Sequence, residues 1–314
     1  MVDKLKSVIR AGLLLSGAAM AVTLFNTKAY AEEGGMIPYL AGVTVGIPTA
    51  AAPPPGLYGS DTGYYKPETV YNGSGKATPF TVSLYDQSLG LFWVPGNHIL
   101  GATYVADIVQ PITYDSTTGF GTTHSHFGLF NTIVSPINLS WMVTHHLFVS
   151  TGMNIYLNDG TYRRTAPVNN GFNYWTFEPT AAVSYLTRSG LDLTIHGAYD
   201  INTANHDSAS SPNGVYQSGQ VLSLDLTATQ QIGHVTFGAV GYIVEQTTND
   251  TAAGAVVPAS PFNSRGNRTE QIAFGPLIGY NFGGPAITFY MTHDFRHINN
   301  LGGNTFWLRL FTRF

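Results

Sequence analysis

Cysteine is absent from all 314 residues. No disulfide framework can hold this chain, so strand pairing and packing must do so. Charge is scarce: Asp, Glu, Lys and Arg make up 10% of the sequence, against about 25% in an ordinary soluble domain. After residue 31 there is no apolar run of the roughly 18 residues that a membrane-spanning helix needs. A basic surplus is also missing. The formal net charge is −4, which lacks the cationic stripe that phosphate binding demands and excludes nucleic acid as a partner. What remains is 13% aromatic residues, 35 glycines and a mean hydropathy of +0.04. Few charges with near-neutral hydropathy suit a transmembrane β-barrel, where only alternate residues meet lipid.

The first residues read as an address. Lys4, Lys6 and Arg10 precede a mostly apolar stretch from Ala11 to Phe25, and Ala29-Tyr30-Ala31 closes it with a small-x-small pattern. This predicts a signal peptide over 1–31, cleaved after Ala31, with an uncleaved anchor as the alternative. Removing Lys4, Lys6, Arg10 and Lys28 together with Asp3 takes the net charge to −7.

Downstream, side chains alternate with the two-residue period of a half-apolar strand. Leu191, Leu193, Ile195, Tyr199 and Ile201 share one face, while Asp192, Thr194, His196, Asp200 and Asn202 share the other. Leu222, Leu224 and Leu226 oppose Ser223, Asp225 and Thr227 in the same way. So do Ile287, Phe289, Met291 and Phe295 against Thr288, Tyr290, Thr292, Asp294 and Arg296. At the C-terminus, FWLRLFTRF sets Leu308, Leu310 and Phe314 against Trp307, Arg309, Phe311 and Arg313.

The pattern predicts an all-β fold of about twelve strands, at 57–71, 79–94, 98–112, 127–140, 146–157, 173–187, 191–201, 218–231, 234–246, 268–281, 285–296 and 303–314. Alternate connections are short (PGN at 95–97, WMVTH at 141–145, RSG at 188–190, GGP at 283–285). The others are long and polar, such as TYDSTTGFGTTHSH, NDGTYRRTAPVNNGF and NTANHDSASSPNGVYQS. Short turns at one end and long loops at the other are the mark of an up-and-down antiparallel outer-membrane barrel. An even strand count then puts both chain ends on the periplasmic side. Outer-membrane lipid is therefore an expected partner, and the terminal Phe314 reads as a signal to the barrel-assembly machinery.

Several stretches strengthen this reading. PPPGLY at 53–58 followed by Tyr64-Tyr65, GATYVADIVQP at 101–111, INLSW at 137–141, YWTFEPTAAVSYL at 174–186, AYDIN at 198–202, YQSGQ at 216–220, GAVGYIVEQTTND at 238–250 and FGPLIGYNFGG at 274–284 follow in order. Together they resemble a family of outer-membrane transporters labelled as involved in the meta-pathway of phenol degradation. The resemblance implies a channel for aromatic or other hydrophobic solutes; no enzymatic activity and no cofactor are expected. Where the chain departs from a bare leader is EEGGMIPYLAGVTVGIPTAAAPPPG, whose prolines bar a long helix. The expected organisation is a signal peptide over 1–31, a periplasmic leader or lumen plug over 32–56, and a barrel over 57–314.

Twelve strands about 4.8 Å apart and tilted roughly 40° close into a cylinder about 24 Å across at the backbone. The predicted lumen and substrate-path residues are Glu178, Asp192, His196, Asp200, Asp225, Tyr290, Asp294, Arg296, Arg309 and Arg313. They either pair across strands or form a wall with acids on one side and arginines on the other that orients a polar or phenolic solute. Pro179 and Pro276 sit inside strands and cannot donate to a ladder, so each marks a bulge or a gap, a kink or a lateral exit. No metal site is expected: His124 and His126 fall in one loop, His145 and His146 in a turn at the opposite end, and the spacing of His293 and His297 does not converge on a strand. A barrel hydrolase would need a serine beside a histidine, and no local motif marks one. A structural or adhesive barrel acting through its long loops is the other alternative.

Overall fold

The computed structural model describes residues 37–257 and 267–314; the predicted signal peptide and its cleavage site after Ala31 lie outside them. Among the described residues there is no helix. Twelve long strands form the wall: β1 (Gly56–Tyr71), β2 (Ala77–Val94), β3 (Ala102–Gly119), β4 (Ile133–Met142), β5 (Leu147–Tyr156), β6 (Thr176–Leu186), β7 (Leu191–Asn202), β8 (Val221–Ile232), β9 (Val235–Gln246), β10 (Glu270–Asn281), β11 (Ala286–Ile298) and β12 (Asn300–Arg313). Each pairs antiparallel with the next, and β12 pairs with β1 from Tyr58↔Arg313 to Tyr71↔Asn300, so the sheet closes on itself and leaves no long edge.

The solvation pattern is inverted relative to a soluble protein. Outward side chains are large and apolar, with Ile195 54% and Leu308 57% exposed, while Glu178 and Asp225 on the inner face are 0% and 2% exposed. Hydrocarbon outside and polar partners inside account for that arrangement. Tyr85, Tyr114, Tyr185 and Tyr280 also face outward and exposed.

Two expectations about the wall need correction, and a third, a bulge or a gap at two prolines, is decided for the gap. The predicted loop over 113–126 is mostly strand: β3 continues to Gly119, turns through Phe120 and Gly121, and returns as a short strand, Thr122–Leu129, paired to β3 itself. Its alternating Thr, Ser and Tyr residues favour extended backbone even though they look loop-like by polarity. The short turn after β2 is longer than PGN. His98–Ile99 pairs back onto Ala102 and Thr103, with Leu100 and Gly101 both at positive φ.

Pro179 and Pro276 do not produce bulges. Each keeps register on one edge, Pro179 opposite Met153 and Pro276 opposite Ala239. On the other edge the ladder skips, from Phe177↔Ile201 to Thr180↔Ala198 and from Phe274↔His293 to Leu277↔Tyr290, without a shift. The missing proline N–H thus faces a gap. The register shifts lie elsewhere, including one at Ile272/Ala273 opposite Phe295 and one at Val134/Ile137 that contains Pro136.

Candidate functional site

The barrel is not empty. Residues 37–55 run down its interior. The Tyr39 amide donates to Asp200 near the long-loop end of β7, the Gly46 amide to Thr227, the Ala50 amide to Ser184 and the Ala52 amide to Ser140 near the short-turn end of β4. The chain then enters β1 at that end. Such a segment has no ladder partner, so each of its buried backbone groups needs another one. The segment's own turns supply some, as from the Val43 amide to Leu40 and the Ile47 amide to Thr44, and the wall supplies others, in part by charge. Asp225 accepts from the amides of Gly42 (2.8 Å) and Thr44 (3.0 Å) and from the hydroxyls of Tyr39 (2.8 Å) and Thr44 (2.7 Å). Across the lumen Arg309 donates to the carbonyls of Val45 (2.9 Å) and Val43 and to the Tyr290 hydroxyl, which itself donates to the Gly42 carbonyl (3.0 Å). Acids hold the amides of Tyr39, Gly42 and Thr44, and Arg309 holds the carbonyls of Val43 and Val45. Hydroxyls of Thr227, Ser184 and Ser140 take the amides further down.

The turns that make this possible centre on Gly42 (φ 91°) and Gly46 (φ 74°). That region of backbone is costly for any residue bearing a Cβ. A Cβ would also lie 2.9 Å from the Tyr242 ring at Gly42 and 2.4 Å from Leu277 at Gly46. The close approach seats Tyr39 and Ala41 among Ala198, Val221, Tyr242, Val244 and Ala273, and Val45 among Val240, Leu277, Tyr290 and Trp307. Residues 39–46 therefore lean on the β7–β12 side of the lumen, while residues 49–52 cross to Ser140, Ser150 and Ser184 of β4–β6.

Towards β1–β5, and bounded also by Thr288 of β11 and by Thr305, Trp307 and Arg309 of β12, a cavity of about 570 Å³ remains. Leu40, Val43 and Ile47 of the segment form one bank; Asp86, Asp107, Asp115, Lys66 and Tyr64 stand on the wall. The cavity is thus eccentric, with an apolar bank on the segment and a wall on which the carboxyls stand among Leu84, Val105, Val109 and Leu139. At the long-loop end it meets Asn170, which is fully buried and donates to Thr113 and Asp115, with Phe172 and Tyr174 stacked beside it. A second loop knot centres on Asp250, which accepts from Tyr216, the Gly219 amide, Gln246 and Asn267. Burial pushes the Asp250 carboxyl up to about 6, against the opposing pull of those four donors.

Of the residues expected in the lumen, Glu178, His196, Asp200, Asp225, Tyr290, Asp294 and Arg309 are buried on the inner face. Glu178 accepts from Asn154 and Tyr156, and Asp294 from Tyr242 and the Gly303 amide. His196 Nδ1 lies 3.3 Å from both the Tyr39 and Thr44 hydroxyls. Asp192 is half-buried at the short-turn end, bonded to Thr194, and Arg313 reaches the Pro55 carbonyl at the same rim. Arg296 departs from expectation. The shift opposite Phe295 places two consecutive side chains outward, so Arg296 pairs with Glu270 outside the lumen. Asp225 and Arg309 do not pair with each other; both bind the segment.

Asp86, Asp107, Asp115, Lys66 and Glu68 escaped sequence reasoning. The signal was present, since Leu84, Asp86 and Ser88 alternate with Tyr85, Gln87 and Leu89, but both faces there carry polar and aromatic residues, which blurs the assignment. Among the described residues no group of three His, Asp or Glu is placed to hold a metal ion.

A family profile described as "Putative MetA-pathway of phenol degradation" matches residues 68–310. Among solved structures, the COG4313 outer membrane channel from Pseudomonas putida F1 is similar with a TM-score of 0.73 at 14% identity, covering 84% of this chain and 97% of that one. The translocator domain of the autotransporter NalP from Neisseria meningitidis follows at 0.52 and 11% identity, covering 84% and 91%. The transport unit of the autotransporter AIDA-I from Escherichia coli stands at 0.50 and 10%, covering 82% and 90%. At these identities the likeness concerns the fold. No curated protein matches.

Proposed function

This chain belongs to the phenol-degradation MetA-pathway family, and from that premise we propose that it is an outer-membrane channel for passive uptake of small aromatic or other hydrophobic compounds. The observation that carries the reading is the cavity itself: about 570 Å³ between an apolar bank of the segment and a wall that carries several carboxyls. That volume lies in the range of about 300–1,000 Å³ typical of small-molecule sites and would hold one small ring compound at a time. An apolar bank offers a ring a contact surface, while Tyr64, Asp86 and Asp115 face its polar substituent. We read residues 37–55 as a plug that narrows a 12-stranded lumen to this size. Loop adhesion and hydrolysis have no comparable support.

The test is liposome swelling with the purified mature chain. Catechol should enter proteoliposomes faster than protein-free vesicles, and raffinose should not. Equal entry of raffinose, or no gain for catechol, would contradict the reading.

A further inference from the structure

The charges along the passage are not balanced. Lys66 is engaged by Glu68 at 3.3 Å, and Arg309 by the segment's carbonyls. Three carboxyls on the wall have only neutral donors. Asp86 accepts from Ser88 (2.6 Å), Asp107 from Ser135 (2.8 Å) and Asn138 (3.1 Å), and Asp115 from Thr113 (3.0 Å) and Asn170 (2.9 Å). Asp115 is 3% exposed and its Oδ1 has no hydrogen-bond partner. None of the three forms an ion pair, and His126, the ladder neighbour of Asp115, bonds Asn170 instead. A buried carboxylate without a cation is costly, and it either takes up a proton or awaits a positive partner.

Geometry groups two of these acids. β2 and β3 pair Leu84 with Asp115 and Asp86 with Thr113, so Asp86 and Asp115 are diagonal neighbours on one inner face. Tyr64 stands directly opposite Asp86 on β1, its ring held against Trp307 at 5.0 Å between centroids. Two carboxyls beside an aromatic ring suit an ammonium group, which gains charge-assisted hydrogen bonds and a cation–π contact. The bank formed by Leu40, Val43 and Ile47 faces them across the cavity and suits an apolar body.

We propose that the Asp86–Asp115 pair beside Tyr64 is a subsite for the ammonium group of a small amine, whose apolar body lies against the Leu40–Val43–Ile47 bank. This rests on the reading of the cavity as the solute passage. It narrows the solute class to include organic cations, which uptake of neutral phenols does not require.

The experiment compares two near-isosteric probes, benzylamine (protonated at neutral pH) and benzyl alcohol, as blockers of potassium chloride current through the full mature chain in a planar bilayer. Benzylamine should half-block at a concentration at least about tenfold lower than benzyl alcohol. In Asp86→Asn/Asp115→Asn the ratio of the two concentrations should fall to about one. In a salt gradient the wild-type reversal potential should show cation preference. Equal block by both probes in the wild type, or a ratio preserved in the variant, overturns the subsite. So does a wild type without cation preference, which settles the matter even if the double variant fails to fold. Failure of the passage reading looks different: neither probe would block at all, and catechol would not enter liposomes.

Discussion

Deleting residues 37–55 should raise single-channel conductance several-fold. The bare cylinder is about 24 Å across at the backbone, and the segment is the body that reduces it to a side passage. The barrel should survive the deletion. Its ladder closes through β1 and β12, which begin beyond the segment, and no strand pairing uses residues 37–55. The cost is the apolar packing of Tyr39, Ala41 and Val45. The wall groups left behind, Asp200, Asp225 and Arg309, would then face channel water, which can replace the lost hydrogen bonds. Bilayer recordings on a variant that still migrates as a folded barrel before heating would check this. Unchanged conductance would mean that the segment does not occupy the conducting path.

A point change should achieve part of the same effect. Asp225 is the single residue on which the segment most depends, since four donors converge on its two oxygens. Asp225→Ala leaves two amides and two hydroxyls of the segment without that acceptor. At about 1–1.5 kcal/mol of net stability per hydrogen bond, the docked state loses roughly 4–6 kcal/mol. Each 1.4 kcal/mol is a factor of about ten in population, so a docked state favoured by a few kcal/mol becomes a minority or an even mixture. The expected record is a noisy channel that switches between the wild-type level and a larger one. Asp225→Asn keeps one acceptor oxygen and should fall between. A quiet, wild-type trace from Asp225→Ala would show that the apolar contacts alone hold the segment.

The barrel was legible because its physics is periodic. Leu193 and Ile195 against Asp192 and Thr194, or Leu222 against Asp225, repeat a rule that local sequence carries in full, and lipid outside with polar groups inside preserves it along each strand. The rule fails where one extra residue enters. Nothing in HDFRH distinguishes a straight strand from one bulged at Phe295, so Arg296 was assigned to the lumen on alternation that the wall does not keep. Pro179 and Pro276 advertised a missing donor, but whether the ladder answers with a shift or a gap depends on the neighbouring strand. The segment over 37–55 was hardest to place. Its glycines and prolines exclude regular structure without saying where the chain goes, and its partners lie up to 266 residues away. The charges on Asp225 and Arg309 were found without their purpose, because a pairing with backbone N–H and C=O groups leaves no pattern in side-chain sequence.

The central claim is that residues 39–46 lean on β7–β12 and leave open space between the segment and the inner face of β1–β5. A chain without cysteine makes the test direct. Ser88→Cys lies on the wall of the passage, whereas Ser223→Cys lies on the inner face of β8, 1% exposed and away from the cavity. A small, charged, thiol-specific methanethiosulfonate reagent should reduce the current through Ser88→Cys and leave Ser223→Cys unaffected. Equal modification of both, or modification of Ser223→Cys alone, would contradict the account.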